Sequence, residues 1–250
     1  MTGSLLLRGL IAGVVAGFIA FLFAFTFGEP QVDLAIAFEE RMAAAEPAPA
    51  VAAEDEAPVV TRATQAGIGL ATGLLAIGAA LGGLFALVFA LVYGRIGTLG
   101  ARATAGLLAL AAFVAIGLVP QLKYPANPPA VGFDETIGAR TVLFFAMLAF
   151  SVLIMAVSVL TARRLWAQRG GWTAGTLGGA VFLGLTALAF TALPTVNEMP
   201  EGFDPLVIWH FRIATMGIHL ILWLVIGLGF GWLAERLLEG GRPAPRLAPV

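Results

Sequence analysis

Residues 5 to 27 read L-L-L-R-G-L-I-A-G-V-V-A-G-F-I-A-F-L-F-A-F-T-F, an apolar run interrupted only by Arg8. About 20 apolar residues cross the roughly 30 Å hydrocarbon core of a bilayer, so this run predicts a transmembrane helix. It is too long for the hydrophobic region of a secretory signal, and it leads into Gly28-Glu29-Pro30 with no small-x-small cleavage pattern. It is therefore read as a retained helix. The same length rule picks out Gly67–Tyr93, Ala103–Val119, Thr141–Ala162, Thr173–Leu193 and Leu206–Leu233. The predicted fold class is an all-α integral membrane protein, a single polytopic domain over residues 1–250 built as a bundle of six transmembrane helices. Composition supports that reading: 60% of the residues are hydrophobic and only 12% charged, where soluble domains carry about a quarter charged residues.

Charge excludes other classes. A net charge of −1 and a single lysine, Lys123, leave no basic patch for nucleic acid. Without cysteine there are no disulfides, thiolate nucleophiles or Cys-ligated metals. Sorting charges by loop orients the chain, because Lys and Arg accumulate on the cytoplasmic side. With the N-terminus inside, that side holds Arg8, Arg95, Arg102, Arg163, Arg164, Arg169, Arg236, Arg242 and Arg246, nine of the 14 basic residues, with only Glu235 and Glu239 among the acids. The other thirteen of the 15 acids fall outside. Both termini are expected in the cytoplasm, with an acidic outer face.

The first outer loop, residues 41–62, includes E-P-A-P-A-V-A-A-E-D-E over Glu46–Glu56, a composition that predicts a flexible acidic tether. Before it, Gly28–Glu40 places Val32, Ile36 and Phe38 on one side of a helical wheel, as expected of a short helix lying at the interface. Glu29 and Asp33 then share a helical face. Such a pair can hold a divalent cation or form a solvated face.

The next two outer loops share N-x4-G-F-D, at Asn127–Asp134 and Asn197–Asp204. Each follows a span ending in proline (Pro120, Pro194) and precedes an arginine at the next mouth (Arg140, Arg212). Spans three and four thus predict a parallel repeat of spans five and six, an arrangement known among transporters. Pro and Gly beside an asparagine leave backbone carbonyls free to face a cavity and meet a hard cation; two capped tight turns are the alternative.

The two histidines, His210 and His219, lie in the last span, and counting from Trp209 sets His219 about 15 Å deep. An ionisable group at that depth is a functional candidate. Met216, three residues earlier, makes a His/Met pair suited to Co²⁺ or Ni²⁺; a neutral histidine bonded to a carbonyl is the alternative. Glycines at four-residue spacing (Gly9, Gly13, Gly17; Gly69, Gly73; Gly78, Gly82; Gly175, Gly179; Gly227, Gly231) predict close helix packing within the chain, or a partner helix docked on the first span. No H-E-x-x-H, no G-x-S-x-G and no carboxylate pair inside a span points to an enzyme.

The run Gly28-Glu29-Pro30-x-x-Asp33-x-Ala35-Ile36-x-x-Glu39, the block Leu122–Gly132 reading L-K-Y-P-A-N-P-P-A-V-G with Glu135-Thr136-Ile137-Gly138-x-Arg140-Thr141, and Leu193-Pro194-x-Val196-Asn197-Glu198-x-Pro200-x-Gly202-Phe203 followed by Trp209-x-Phe211-Arg212 resemble the CbtA family of predicted cobalt transporter subunits. The resemblance implies a bacterial inner-membrane protein associated with cobalamin synthesis, working beside a small single-span, histidine-bearing partner, CbtB. Where relatives carry histidines in the first outer loop, Glu46–Glu56 offers only carboxylates, prolines and apolar residues. The expectation is that Co²⁺ passes as cargo and no cofactor is held permanently. Glu29, Asp33, Asn127, Glu135, Asn197 and Glu198 are expected to line the mouth, with Arg140 and Arg212 fixing the loops through carboxylate pairing. Met216 and His219 would line a deeper path. Nickel or another small solute as cargo, a non-transporting membrane scaffold, and oligomerisation stay open.

Overall fold

The computed structural model describes residues 1–45, 60–95 and 97–240. The tether expected over Glu46–Glu56 lies outside the described residues, as do Arg242 and Arg246. Every regular element among the described residues is helical. Five helices are long and apolar enough to cross a membrane: α1 (Thr2–Ala45), α2 (Arg62–Val92), α3 (Ala101–Lys123), α4 (Asp134–Ala192) and α5 (Pro205–Leu238).

Two prolines that the sequence reading set at or beyond a span's end lie inside helices. A proline lacks the N–H that would bond back one turn, and its ring crowds the carbonyl there. In α1 the backbone widens into a π-turn over Ala24–Gly28, just before Pro30. In α3 it does so over Phe113–Leu118, just before Pro120. The wider turn shifts the hydrogen-bond ladder around the missing donor. Glu29–Ala45 therefore continues the first span helically instead of forming a separate interfacial helix, and α3 runs on past Val119 to Lys123.

The fourth and fifth expected spans fall within one helical run, Ile137–Ala192, broken only at Gly170 with φ 75° and ψ 162°. That left-handed backbone suits glycine, which has no Cβ to clash. A Cβ at Gly178 would meet Ala162 Cβ at 2.9 Å and the Ser158 carbonyl oxygen at 3.0 Å, whereas a straight helix would hold residues 162 and 178 about 24 Å apart. The run is thus folded back at Gly170 into two packed arms.

The tightest packing joins α1 to α2. A Cβ at Gly9, Gly13 or Gly17 would land on the carbonyl oxygens of Gly82, Gly78 and Leu74, so these glycines are filled within the chain and leave no room for a partner helix at that seam. The α3–α5 seam uses the same device: Gly227 meets Ala109, and Gly231 meets Ala105 and Arg102. Between the seams Phe89 and Phe230, both fully buried, pack edge to face at 4.9 Å. The α4 arms sit to one side. Met147 packs with Val119 and Tyr124, Lys123 Nζ donates to the Phe190 carbonyl at 2.8 Å, and the Tyr124 hydroxyl donates to the Pro194 carbonyl at 2.7 Å. At the opposite end Glu239 Oε1 accepts from the Tyr93 hydroxyl (2.8 Å) and the Ala101 amide (2.7 Å), tying α5 to the start of α3.

Gly13→Val should destabilise the protein by about 1–3 kcal/mol or more, because the backbone carbonyl it meets cannot yield. Gly73→Ala and Gly175→Ala, with nothing within 4 Å of the added carbon, should be neutral or slightly stabilising by helix propensity. Thermal denaturation in detergent compares the three, and equal stability of all three would contradict the packing described.

Candidate functional site

The expected outer end is built from two loops that follow α3 and α4. Each contains a tight turn: the Val131 amide donates to the Pro128 carbonyl and the Phe203 amide to the Pro200 carbonyl, both at 3.3 Å. The turns are not in register with the shared motif. The positive-φ turn position is Ala130 (φ 64°) in the first loop and Gly202 (φ 79°) in the second, although Gly132 (φ 118°) is the motif partner of Gly202. The phenylalanines also diverge. Phe203 is buried with Ala35, Val131, Val207 and Ile208 and lies edge-on to Phe38 at 4.9 Å, while Phe133 is exposed.

The arginines bind crosswise. Arg212, which follows the second loop, donates from Nη2 to Asn127 Oδ1 at 2.8 Å and from Nε to the Ala126 carbonyl at 3.3 Å, both in the first loop. Arg140, which follows the first loop, pairs with Glu198 of the second at 3.3 Å. Glu198 also accepts from the Thr136 hydroxyl at 2.7 Å and the Phe133 amide at 3.1 Å. These two hydrogen bonds, with the Arg140 charge, hold the Glu198 carboxyl below the usual carboxylate range against the opposing effect of burial. Carboxylate pairing was expected of both arginines; Arg140 has it, whereas Arg212 is held by a carboxamide and a carbonyl.

Between the loops lies a pocket of about 200 Å³, lined by Asn127, Asn197, Glu198, Trp209 and Arg212 among others. Three of the expected mouth residues therefore converge. Glu135 stays exposed on the rim. Glu29 and Asp33 do share a face, but both engage Arg62, with Nε to Asp33 Oδ1 at 3.0 Å and the Nη2–Glu29 contact beside it. A cation there would have to displace a guanidinium. Among the described residues no three His, Asp or Glu side chains converge as metal ligands.

Below the pocket, Arg212, Met216 and His219 are spaced i, i+4 and i+7 on α5 and so share one stripe. At 1.5 Å per residue His219 lies about 10 Å beneath Arg212. It packs against Gly117 in the π-turn of α3, and its buried Nδ1 has no hydrogen-bond partner among the described residues. Trp223 Nε1, one turn further, is likewise buried and unpartnered. On the same π-turn the Ala115 carbonyl accepts from the fully buried Ser151 hydroxyl of α4.

The family model described as "Probable cobalt transporter subunit (CbtA)" matches residues 2–235. The chain belongs to the CbtA family. No curated protein and no solved structure gives a significant match. In CbtA terms, the structure is that of a multi-pass membrane protein from a family of cobalt transporter subunits. Sequence reasoning missed Arg62, Thr136, Trp209 and Ser151. Arg62 was findable as one of only five basic residues on the acidic side, and Thr136 stood within the quoted E-T-I-G-x-R block.

Because Glu198 titrates lower when folded, its hold on the loops is complete above the ordinary carboxylate pKa and is lost as pH falls through the lowered value. Limited proteolysis of the 194–204 loop should therefore stay slow at neutral pH and accelerate only once the pH has fallen below the ordinary glutamate range. Glu198→Gln should open the loop at every pH, and an unchanged acid profile in that variant would contradict the assignment.

Proposed function

We propose that this CbtA-family chain forms the outer mouth and membrane path of a Co²⁺ uptake system in the bacterial inner membrane. The observation that carries the reading is the pocket of Asn127, Asn197, Glu198 and Arg212 standing at the head of the Arg212–Met216–His219 stripe, in a chain matched to a cobalt transporter family over residues 2–235. Exposed acids on the rim, Asp134, Glu135 and Glu201, raise the local concentration of cations. The pocket admits the cargo, and the imidazole and thioether below supply ligands suited to Co²⁺ or Ni²⁺. Glu29 and Asp33, bound to Arg62, brace the first span beside the mouth.

In this reading the two arms of α4 each cross the membrane, giving six crossings with both termini in the cytoplasm. The shared motif and the arginine clasp of the two loops support reading spans three to six as a parallel repeat. A small single-span partner of the CbtB kind joins the complex, and the metal serves cobalamin synthesis. With the α1–α2 glycine seam closed, the partner must dock elsewhere. A closed scaffold would be expected to bond His219 to a backbone carbonyl, and its unpartnered Nδ1 favours the transporter.

The test is uptake of radioactive cobalt, with nickel as competitor, into metal-transport-deficient cells expressing the chain with and without its small partner. Saturable uptake should fall about tenfold, equivalent to roughly 1.4 kcal/mol, in Asn197→Ala and His219→Ala at equal membrane insertion. Background uptake by the correctly inserted pair would turn the reading to a scaffold, and stronger competition by nickel would reassign the cargo.

A further inference from the structure

We propose that the pocket beneath Trp209 is an oxyanion site, in which Arg212 receives a carboxylate or similar group, and that a bare divalent cation does not rest there. A guanidinium has five N–H donors. Two of those of Arg212 are engaged, by the Asn127 carboxamide oxygen and the Ala126 carbonyl. Both acceptors are neutral, so the positive charge is solvated by dipoles and paired with no carboxylate among the described residues. Three N–H groups, including both on Nη1, have no partner among the described residues, and they form the end-on edge that meets a planar oxyanion with two parallel hydrogen bonds.

The one carboxylate lining the pocket does not cancel this charge. Glu198 is held by Arg140, the Thr136 hydroxyl and the Phe133 amide. Counting Glu198 with its own arginine, the pocket carries a net charge of about +1 and repels a bare divalent cation by Coulomb's law. Arg212 is half-buried at the mouth of α5, where water screens it less than at the open surface. The surrounding lining, with Asn127 and Asn197 on one side and Trp209 on the other, offers neutral polar contacts and an apolar wall. These are the elements of a small-anion site.

The inference concerns the same mouth as the cobalt reading and rests on it only for why a ligand arrives: a metal chelated by a polycarboxylate reaches the pocket as an anion. The same chemistry is also presented by an anionic lipid headgroup, and the test separates the two.

Full-length protein in zwitterionic lipid nanodiscs is titrated calorimetrically with citrate, with inorganic phosphate and with CoCl2 alone. Citrate should bind saturably, at least about tenfold more weakly to Arg212→Gln, with Arg212→Lys intermediate because it keeps the charge and loses the fork. CoCl2 alone should leave the pocket unfilled. If Arg212→Gln does not insert, Arg212→Lys and the wild-type titrations decide. Weakening of citrate binding by phosphatidylglycerol, in an Arg212-dependent manner, would support the oxyanion site and make lipid its source. The proposal is overturned if neither citrate nor phosphate binds the inserted wild type, if both bind Arg212→Gln equally, or if Co²⁺ alone binds with an affinity that depends on Glu198. Binding is read here without transport, so a failed titration leaves the uptake result standing, and failed uptake leaves the titration standing.

Discussion

The close approach of α1 to α2, backbone against backbone, is the constraint on which the rest of the bundle depends. In a bilayer the lipid tails are as apolar as leucine, so helices associate through contact and hydrogen bonding and gain little from leaving lipid. Contact is greatest where side chains are missing. Gly9, Gly13 and Gly17 face the carbonyls of Gly82, Gly78 and Leu74, which fixes both the separation and the register of the first two helices. That register presents Ala12, Ala16 and Ala20 with Phe85 and Phe89 as one surface for α5, whose Phe230 and Ile226 fill it. Once α5 is seated, its own glycines admit the alanines of α3, and the π-turn of α3 comes to lie against His219.

The end built from the two loops follows a different logic, because loops have no lipid to exclude and must be held by named bonds. Each arginine binds the opposite loop: Arg140 reaches Glu198, and Arg212 reaches Asn127. The crossing makes the two loops a single unit, since neither can move without releasing the other's partner. It also explains why the shared N-x4-G-F-D motif survives with turns out of register. What the two loops have in common is the placing of an acceptor in one loop and an arginine beyond the other, and tight turns at either Ala130 or Gly202 satisfy it.

The five long apolar helices were legible because bilayer thickness imposes a length that composition reveals directly. The glycine seams were legible for a similar reason, since spacing of four on a helix is geometry. Proline misled the reading at Pro120, where the expectation of a span's end overlooked the π-turn that lets a helix absorb a missing donor; at Gly28–Glu40 a helix was expected, but not its continuity with the first span through the π-turn before Pro30. The fold-back at Gly170 was visible as a gap between two apolar runs, yet its helical continuation through Arg163, Arg164 and Arg169 was not. At the site, Asn127, Asn197 and Glu198, singled out by residue type, line one pocket. Their partners were beyond reach, because which arginine meets which acceptor is decided by how helices far apart in sequence pack.

On the uptake reading proposed above, the distribution of charge along the stripe of α5 would give the path a direction. Exposed carboxylates stand on the rim, and the carboxylates nearest the bundle, Glu29, Asp33 and Glu198, are each engaged by an arginine. Beneath them Arg212 pairs with no carboxylate among the described residues, and below it Met216 and His219 stand on the stripe before Trp223. On that reading a cation moving inward would meet attraction, then repulsion, then neutral ligands. Repulsion at the second step is removed if the metal arrives with an anion that Arg212 can hold. Release of the metal to the thioether and imidazole would then separate cargo from carrier at the depth where the outer carboxylates no longer reach.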